Sequence, residues 1–204
     1  SGEFMSYHHK SDPRKDSEYA IQLKRYYAAC VSYADKHVGD ILKKLKETGA
    51  DKNTIVVLWG DHGWHLGEHA IWGKHSLFEE SLHSPLIIFD PSLNKRGDKV
   101  NSIVETVDIF PTLTELCQLP TPQFKNGSSL LPIIRNNNSK NRAAVAYTSK
   151  ASTIRTEKYR FIQHLDGAVE LYNHQNDGSE TVNIAEQNPE VVKVLRQQLN
   201  EKLN

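Results

Sequence analysis

Between Gly60 and Pro85 the chain reads Gly-Asp-His-Gly-Trp-His-Leu-Gly-Glu-His-Ala-Ile-Trp-Gly-Lys-His-Ser-Leu-Phe-Glu-Glu-Ser-Leu-His-Ser-Pro, and five of the ten histidines lie there. A carboxylate suits a hard cation, an imidazole a softer one, and an ammonium stabilises charge growing on an oxyanion. Asp61 follows the apolar run Thr54–Trp59 with only Gly60 between them. In open α/β sheets ligands bind beyond the carboxyl ends of strands, which puts Asp61 where a cation or substrate sits. Gly60, Gly63, Gly67 and Gly73 let the backbone turn tightly and approach a ligand closely. The competing reading is a solvated, turn-rich loop with an ordinary capping aspartate. His62, His65 and His69 also have the i, i+3, i+7 spacing of a zinc triad on a helix, but Gly63 and Gly67 argue against a helix there.

Elements on either side must hold this segment. From Asp16 to Glu47, Leu23, Tyr27, Cys30, Ala34, Val38, Ile41, Leu42 and Leu45 recur mostly every three or four residues, an amphipathic helical stripe. Asp16 or Ser17 caps its start, Lys43, Lys44 and Lys46 crowd its last turn, and Gly49 stops it. Thr54–Trp59 and Leu86–Phe89 are continuous apolar runs of the kind buried on both faces of a sheet, and Val107–Leu116 is a further helix with Pro111 in its first turn. Helix and buried strand together predict an α/β architecture. Pro120 to Asn141 is loop-like, with Pro122, Pro132 and the run Asn136-Asn137-Asn138. Beyond it, Ala143–Ser149, Ser152–Thr156, Tyr159–Leu165 and Val169–Tyr172 predict a small antiparallel sheet, closed by a helix over Pro189–Leu203. Ser1 to Met5 reads as a vector-derived scar and is set aside from the fold. The expected division is therefore residues 6–135 and 136–204 after a scar at 1–5.

The 25 Lys and Arg balance the 25 Asp and Glu, so no net field draws the chain to nucleic acid or to an anionic membrane. No apolar run approaches the roughly 20 residues of a membrane span. Cys30 and Cys117 lie far apart, each inside a helical pattern, and indicate neither a disulfide framework nor a thiolate zinc site.

Asp61-His62-Gly63, Leu66-Gly67-Glu68-His69, Trp72-Gly73-Lys74, Phe78-Glu79 and Ser84-Pro85-Leu86 resemble the C-terminal metal and sulfate motif of sulfatases in the alkaline phosphatase superfamily. Trp64 makes the segment most similar to the iduronate-2-sulfatase-like branch. The resemblance extends to Tyr26-Tyr27-Ala28-Ala29 with Val38-Gly39, to Thr106–Leu113, to Ile154–Phe161, to Glu170–Asn173 and to Asp177–Asn183, where Gly178 replaces the usual proline. It implies the C-terminal part of an α/β/α sandwich followed by a small antiparallel subdomain with a packed helix.

The same resemblance assigns Asp61 and His62 to the calcium and Lys74 to the sulfate. Trp64, Glu68, His69 and His75 offer the aromatic face and hydrogen-bonding groups that suit a sugar subsite, and packing of each against its own loop is the competing reading. Imidazole suits zinc better than calcium, so His62 is the less comfortable ligand. The implied reaction is hydrolysis of a carbohydrate sulfate ester by a formylglycine, whose hydrate attacks sulfur and later collapses to regenerate the aldehyde. Neither Cys30 nor Cys117 is followed by Pro-x-Arg, so the nucleophile and the paired aspartates of the metal site are expected in an N-terminal part of the same sulfatase, and this chain alone is expected to be inactive. Periplasmic, secreted or lysosomal compartments are expected for the parent family. A phosphodiester or phosphonate monoester hydrolase of the same superfamily, or a non-catalytic truncated module, are the alternatives.

Overall fold

A computed structural model describes residues 3–93, 97–120, 126–136 and 142–203. Packing groups the chain into two compact units, Ser1–Ser76 with Glu80–Asn94, and Leu77–Glu79 with Lys95–Asn204. No helix among the described residues is long and apolar enough to cross a membrane.

In the first unit, α1 spans Ser17–Glu47 and is capped by Asp16, whose carboxylate accepts the Tyr19 N–H at 2.9 Å. Gly49, at φ +76°, turns the chain after it. The predicted stripe forms but is not covered: no residue of α1 is buried, and Ile21, Val31, Tyr33 and Ile41 are exposed. A 3-10 turn at Ala50–Asn53 leads into β1, Val56–Trp59. β2 (His65–Leu66) and β3 (Trp72–Gly73) form a two-residue antiparallel ladder, and the short helix α2 (Glu79–Leu82) precedes β4 (Leu86–Phe89). β1 pairs antiparallel with β4, Val56 opposite Phe89 and Trp59 opposite Leu86. The expectation of strands buried on both faces is corrected here: half of Trp59 is exposed, as is more than half of Ile87. The physical reason is that the ladder has only two strands, so the described chain supplies neither further neighbours nor two covering layers.

In the second unit a 3-10 turn, Thr106–Asp108, runs into α3, Ile109–Leu116, with a capping box between Glu105 and Asp108. Thr112 Oγ1 accepts the Leu130 N–H at 2.8 Å, which docks α4 (Leu131–Asn136) beside α3. The sequence reads that stretch as loop; Pro132 in fact sits in a first helical turn, where its missing N–H costs nothing, and Leu131 and Ile133 are buried. Pro122 and Asn137 to Asn141 lie outside the described residues.

The chain closes with the meander β5 (Ala143–Tyr147), β6 (Ala151–Thr156), β7 (Tyr159–His164) and β8 (Val169–Asn173), all antiparallel and in sequence order, and with α5, Pro189–Leu203. This matches the predicted small sheet with its packed helix. Ile154, Phe161 and Leu171 stand opposite one another across three strands. They meet Val192, Leu195 and Leu199, spaced three and four apart on α5. Each such fully buried side chain contributes about 1.5–3 kcal/mol. The other face of the sheet packs Ile162, Tyr172 and Ala151 against Leu77, with Phe78 beside them.

Candidate active site

Asp61 stands in a bend two residues past the end of β1, after Gly60, whose N–H donates to Pro85 O at 2.9 Å. Its carboxylate is 84% exposed and lies 3.5 Å from His62 Nε2. His62 Nδ1 is 2.8 Å from the carbonyl oxygen of Gly63. A carbonyl can only accept, so Nδ1 carries the hydrogen and the lone pair of the neutral ring is on Nε2, facing Asp61. An anionic oxygen and an imidazole lone pair turned toward the same space fit the rim of a cation site. Two donors are an edge and not a cage, because calcium takes six to eight oxygens.

The loop carrying this pair is fixed from below. Gly63 N–H donates to Ser81 O at 2.8 Å, and a Cβ on Gly63 would meet the Glu80 carbonyl oxygen at 1.9 Å. Glycine is therefore required by close backbone approach. His65, next along, is fully buried; its Nε2 lies 2.7 Å from Ser76 Oγ, which lies 2.8 Å from Ser81 Oγ. Burial holds the His65 imidazole below its ordinary pKa, against the opposing pull of the Glu80 carboxylate. This link between the Asp61 loop, the Lys74 turn and α2 is not legible in the sequence, since its partners are eleven and sixteen residues away and follow no period. The helical zinc triad does not form: His65 is in β2, and His69 stands in a 3-10 turn at φ +53°.

Lys74 and His75 follow β3 on a turn that begins at Gly73, φ +133°. Their two backbone N–H groups donate to one oxygen of Glu3, at 2.7 and 3.0 Å. Glu3 and Phe4, which the sequence reading sets apart from the fold, are thus built into it. Lys74 is half-buried and His75 exposed. Trp64 is half-buried, its ring 6.3 Å from that of Tyr7. His69 Nε2 is 3.8 Å from a Glu80 carboxylate oxygen, and the Glu68 carboxylate accepts the Leu66 N–H at 2.6 Å, turned back on its own loop. The structure thus brings together Asp61 with His62, Lys74 with His75, and His69 with His65 and Glu80.

A second cluster lies in the other unit, where Glu79, His174 and Glu180 offer ligand atoms within 4.8 Å of one another. Its chemistry is that of an ion-pair network. Arg160, 1% exposed, bonds both Glu180 and Glu79, and Arg155 lies 3.4 Å from Glu79. His174 accepts from Arg155 at Nδ1 and donates to Glu180 from Nε2, at 2.8 and 2.7 Å, so no imidazole lone pair is left for a metal. Two guanidinium groups would also repel one. Burial opposes the charge on Glu180, but His174 and Arg160 outweigh it and hold its carboxyl below the ordinary value.

Comparison with known proteins decides the family. The sulfatase profile matches residues 3–119, and the profile of the N-sulphoglucosamine sulphohydrolase C-terminal region matches residues 67–204. The chain belongs to the sulfatase family. A sulfatase of Formosa agariphila is 37% identical over 161 residues, covering 78% of this chain and 32% of that protein. Arylsulfatase K of Bos taurus is 35% identical over 196 residues, covering 88% of this chain and 36% of its own length. The solved structure of BT4656 with its substrate D-glucosamine-2-N,6-O-disulfate superposes with a TM-score of 0.83 at 30% identity, over 91% of this chain and 41% of that one. This sulfatase chain therefore spans about a third of the curated relatives it matches.

Proposed function

We propose that this chain is the C-terminal portion of a sulfatase that hydrolyses sulfate esters of carbohydrates, the residues up to 135, Glu3 and Phe4 included, completing its α/β core and 136–204 forming its small subdomain. The observation that carries the reading is the Asp61–His62 pair, an exposed carboxylate facing an imidazole lone pair beyond the end of β1, in a chain of this family. Sulfated glucosamine bound to BT4656 supports the carbohydrate class. Asp61 and His62 would hold part of a calcium site, the remaining oxygen ligands and the formylglycine nucleophile coming from an N-terminal part. Calcium bound there would offset the negative charge of the sulfate group.

The chain's own residues then have distinct tasks. Lys74 places an ammonium beside the sulfuryl or leaving oxygen, where charge grows in the transition state. Trp64, His69 and His75 border the approach and offer an aromatic face and imidazole hydrogen bonds to a sugar. In the complete protein, Asp61→Asn should weaken calcium affinity, and Lys74→Ala should lower kcat on an aryl sulfate more than it raises KM. Unchanged metal affinity and rate in both variants would refute the assignment. The chain alone, assayed with calcium, should show no turnover, activity appearing only when a separately expressed N-terminal half is added.

A further inference from the structure

The Lys74 turn is held by a residue seventy-one positions away. Glu3 Oε2 accepts the consecutive N–H groups of Lys74 and His75, and it lies 3.2 Å from His75 Nδ1. The other oxygen, Oε1, accepts the Tyr7 hydroxyl at 2.8 Å. The side chain is only 6% exposed, so this carboxylate has exchanged nearly all its water for these donors. Gly73 makes the approach possible, because a Cβ there would stand 2.5 Å from Glu3 Oε2. The segment that delivers the carboxylate, the 3-10 turn Glu3–Ser6, is itself pinned by aromatic rings: Phe4 is 6.2 Å from Trp72 and 6.4 Å from Tyr19. Tyr7 continues the contact onto Trp64.

We infer that Glu3 is a positioning residue, whose carboxylate fixes the Lys74–His75 backbone and so sets where the Lys74 ammonium stands. Two successive N–H groups converging on one oxygen define the peptide plane between them, leaving Lys74 only its own side-chain rotamers to reach the sulfate. The inference rests on the reading of Lys74 as a sulfate contact. A residue that merely stabilised the fold would change the unfolding midpoint and leave the balance of kcat and KM alone.

The test compares Glu3→Ala, Glu3→Gln and Lys74→Ala in the complete protein, with kcat and KM on an aryl sulfate, amide hydrogen exchange at Lys74 and His75, and urea midpoints. Glu3→Ala should speed exchange at both amides by about tenfold or more and lower kcat on the order of 10- to 100-fold, the effect of a roughly 1 Å misplacement. Glu3→Gln keeps an acceptor oxygen and should recover most of both. Unchanged exchange in Glu3→Ala, or an unchanged kcat where Lys74→Ala loses activity, overturns the inference. A silent Lys74→Ala overturns the sulfate reading instead, while the exchange rates still report on Glu3's hold on the turn.

Discussion

Replacing Gly63 by alanine is the sharpest perturbation of the Asp61–His62 loop that leaves every charged group in place. The new Cβ would start 1.9 Å from the Glu80 carbonyl oxygen and 2.9 Å from its carbon, both backbone atoms, where ordinary contact begins at 3.4 Å. No side-chain rotation relieves that clash, so loop and helix must part. The first bond lost is Gly63 N–H to Ser81 O, a net cost of about 1 kcal/mol, with strain added to it. The second consequence is chemical, since His62 is oriented by its bond to the Gly63 carbonyl and moves with it. A displacement of about 1 Å costs on the order of 100-fold in rate when it misplaces a reacting group. In the complete protein, Gly63→Ala should therefore lower kcat/KM by about that factor and weaken calcium affinity, both measured beside Gly178→Ala, where an added Cβ meets no atom within 4 Å. Activity and calcium affinity within twofold of the parent, with an unchanged urea midpoint, would refute the close-approach argument.

Arg160→Met should destabilise the chain by about 3–5 kcal/mol, because it strands Glu180 and Glu79 without their shared guanidinium; urea unfolding reads this, and a loss under about 1 kcal/mol would contradict the network. Stability should also fall on acidification in two stages. His65 has its folded pKa depressed below the ordinary 6.5, so its contribution is complete above that pH and is lost as pH falls through the folded value. Glu180, depressed below 4.5, adds a second loss below that pH. The urea midpoint should drop between pH 7.5 and 5.5 in the parent and less so in His65→Asn, and a flat midpoint across that range would refute the buried-histidine reading.

Local chemistry made much of this chain legible. The Asp16 cap, the Gly49 stop and the bounds of β4 follow from interactions within a few residues, where the identity of a side chain is enough to fix the backbone. The four-stranded meander was readable because short alternating runs separated by turns pair with their neighbours in order. The Asp61–His62 adjacency was equally local.

What the sequence alone determined, then, was the place of the long helix α1, of β1 and β4, of α3 and of the antiparallel sheet with its packed helix, and which segment carries metal- and anion-binding residue types, while α2, α4 and the β2–β3 ladder were not legible in it. Tertiary structure decided everything that joins distant positions. It buried His65 against Ser76, placed the Glu3 carboxylate on the Lys74 turn, and turned the acidic pair Glu79 and Glu180 into an arginine-bridged network. It also left the α1 stripe without a buried residue and the end of β1, Leu58 and Trp59, exposed. The reason is that composition and periodicity report how a residue suits water or its own helix or strand, whereas these contacts depend on which distant group reaches the same point in space.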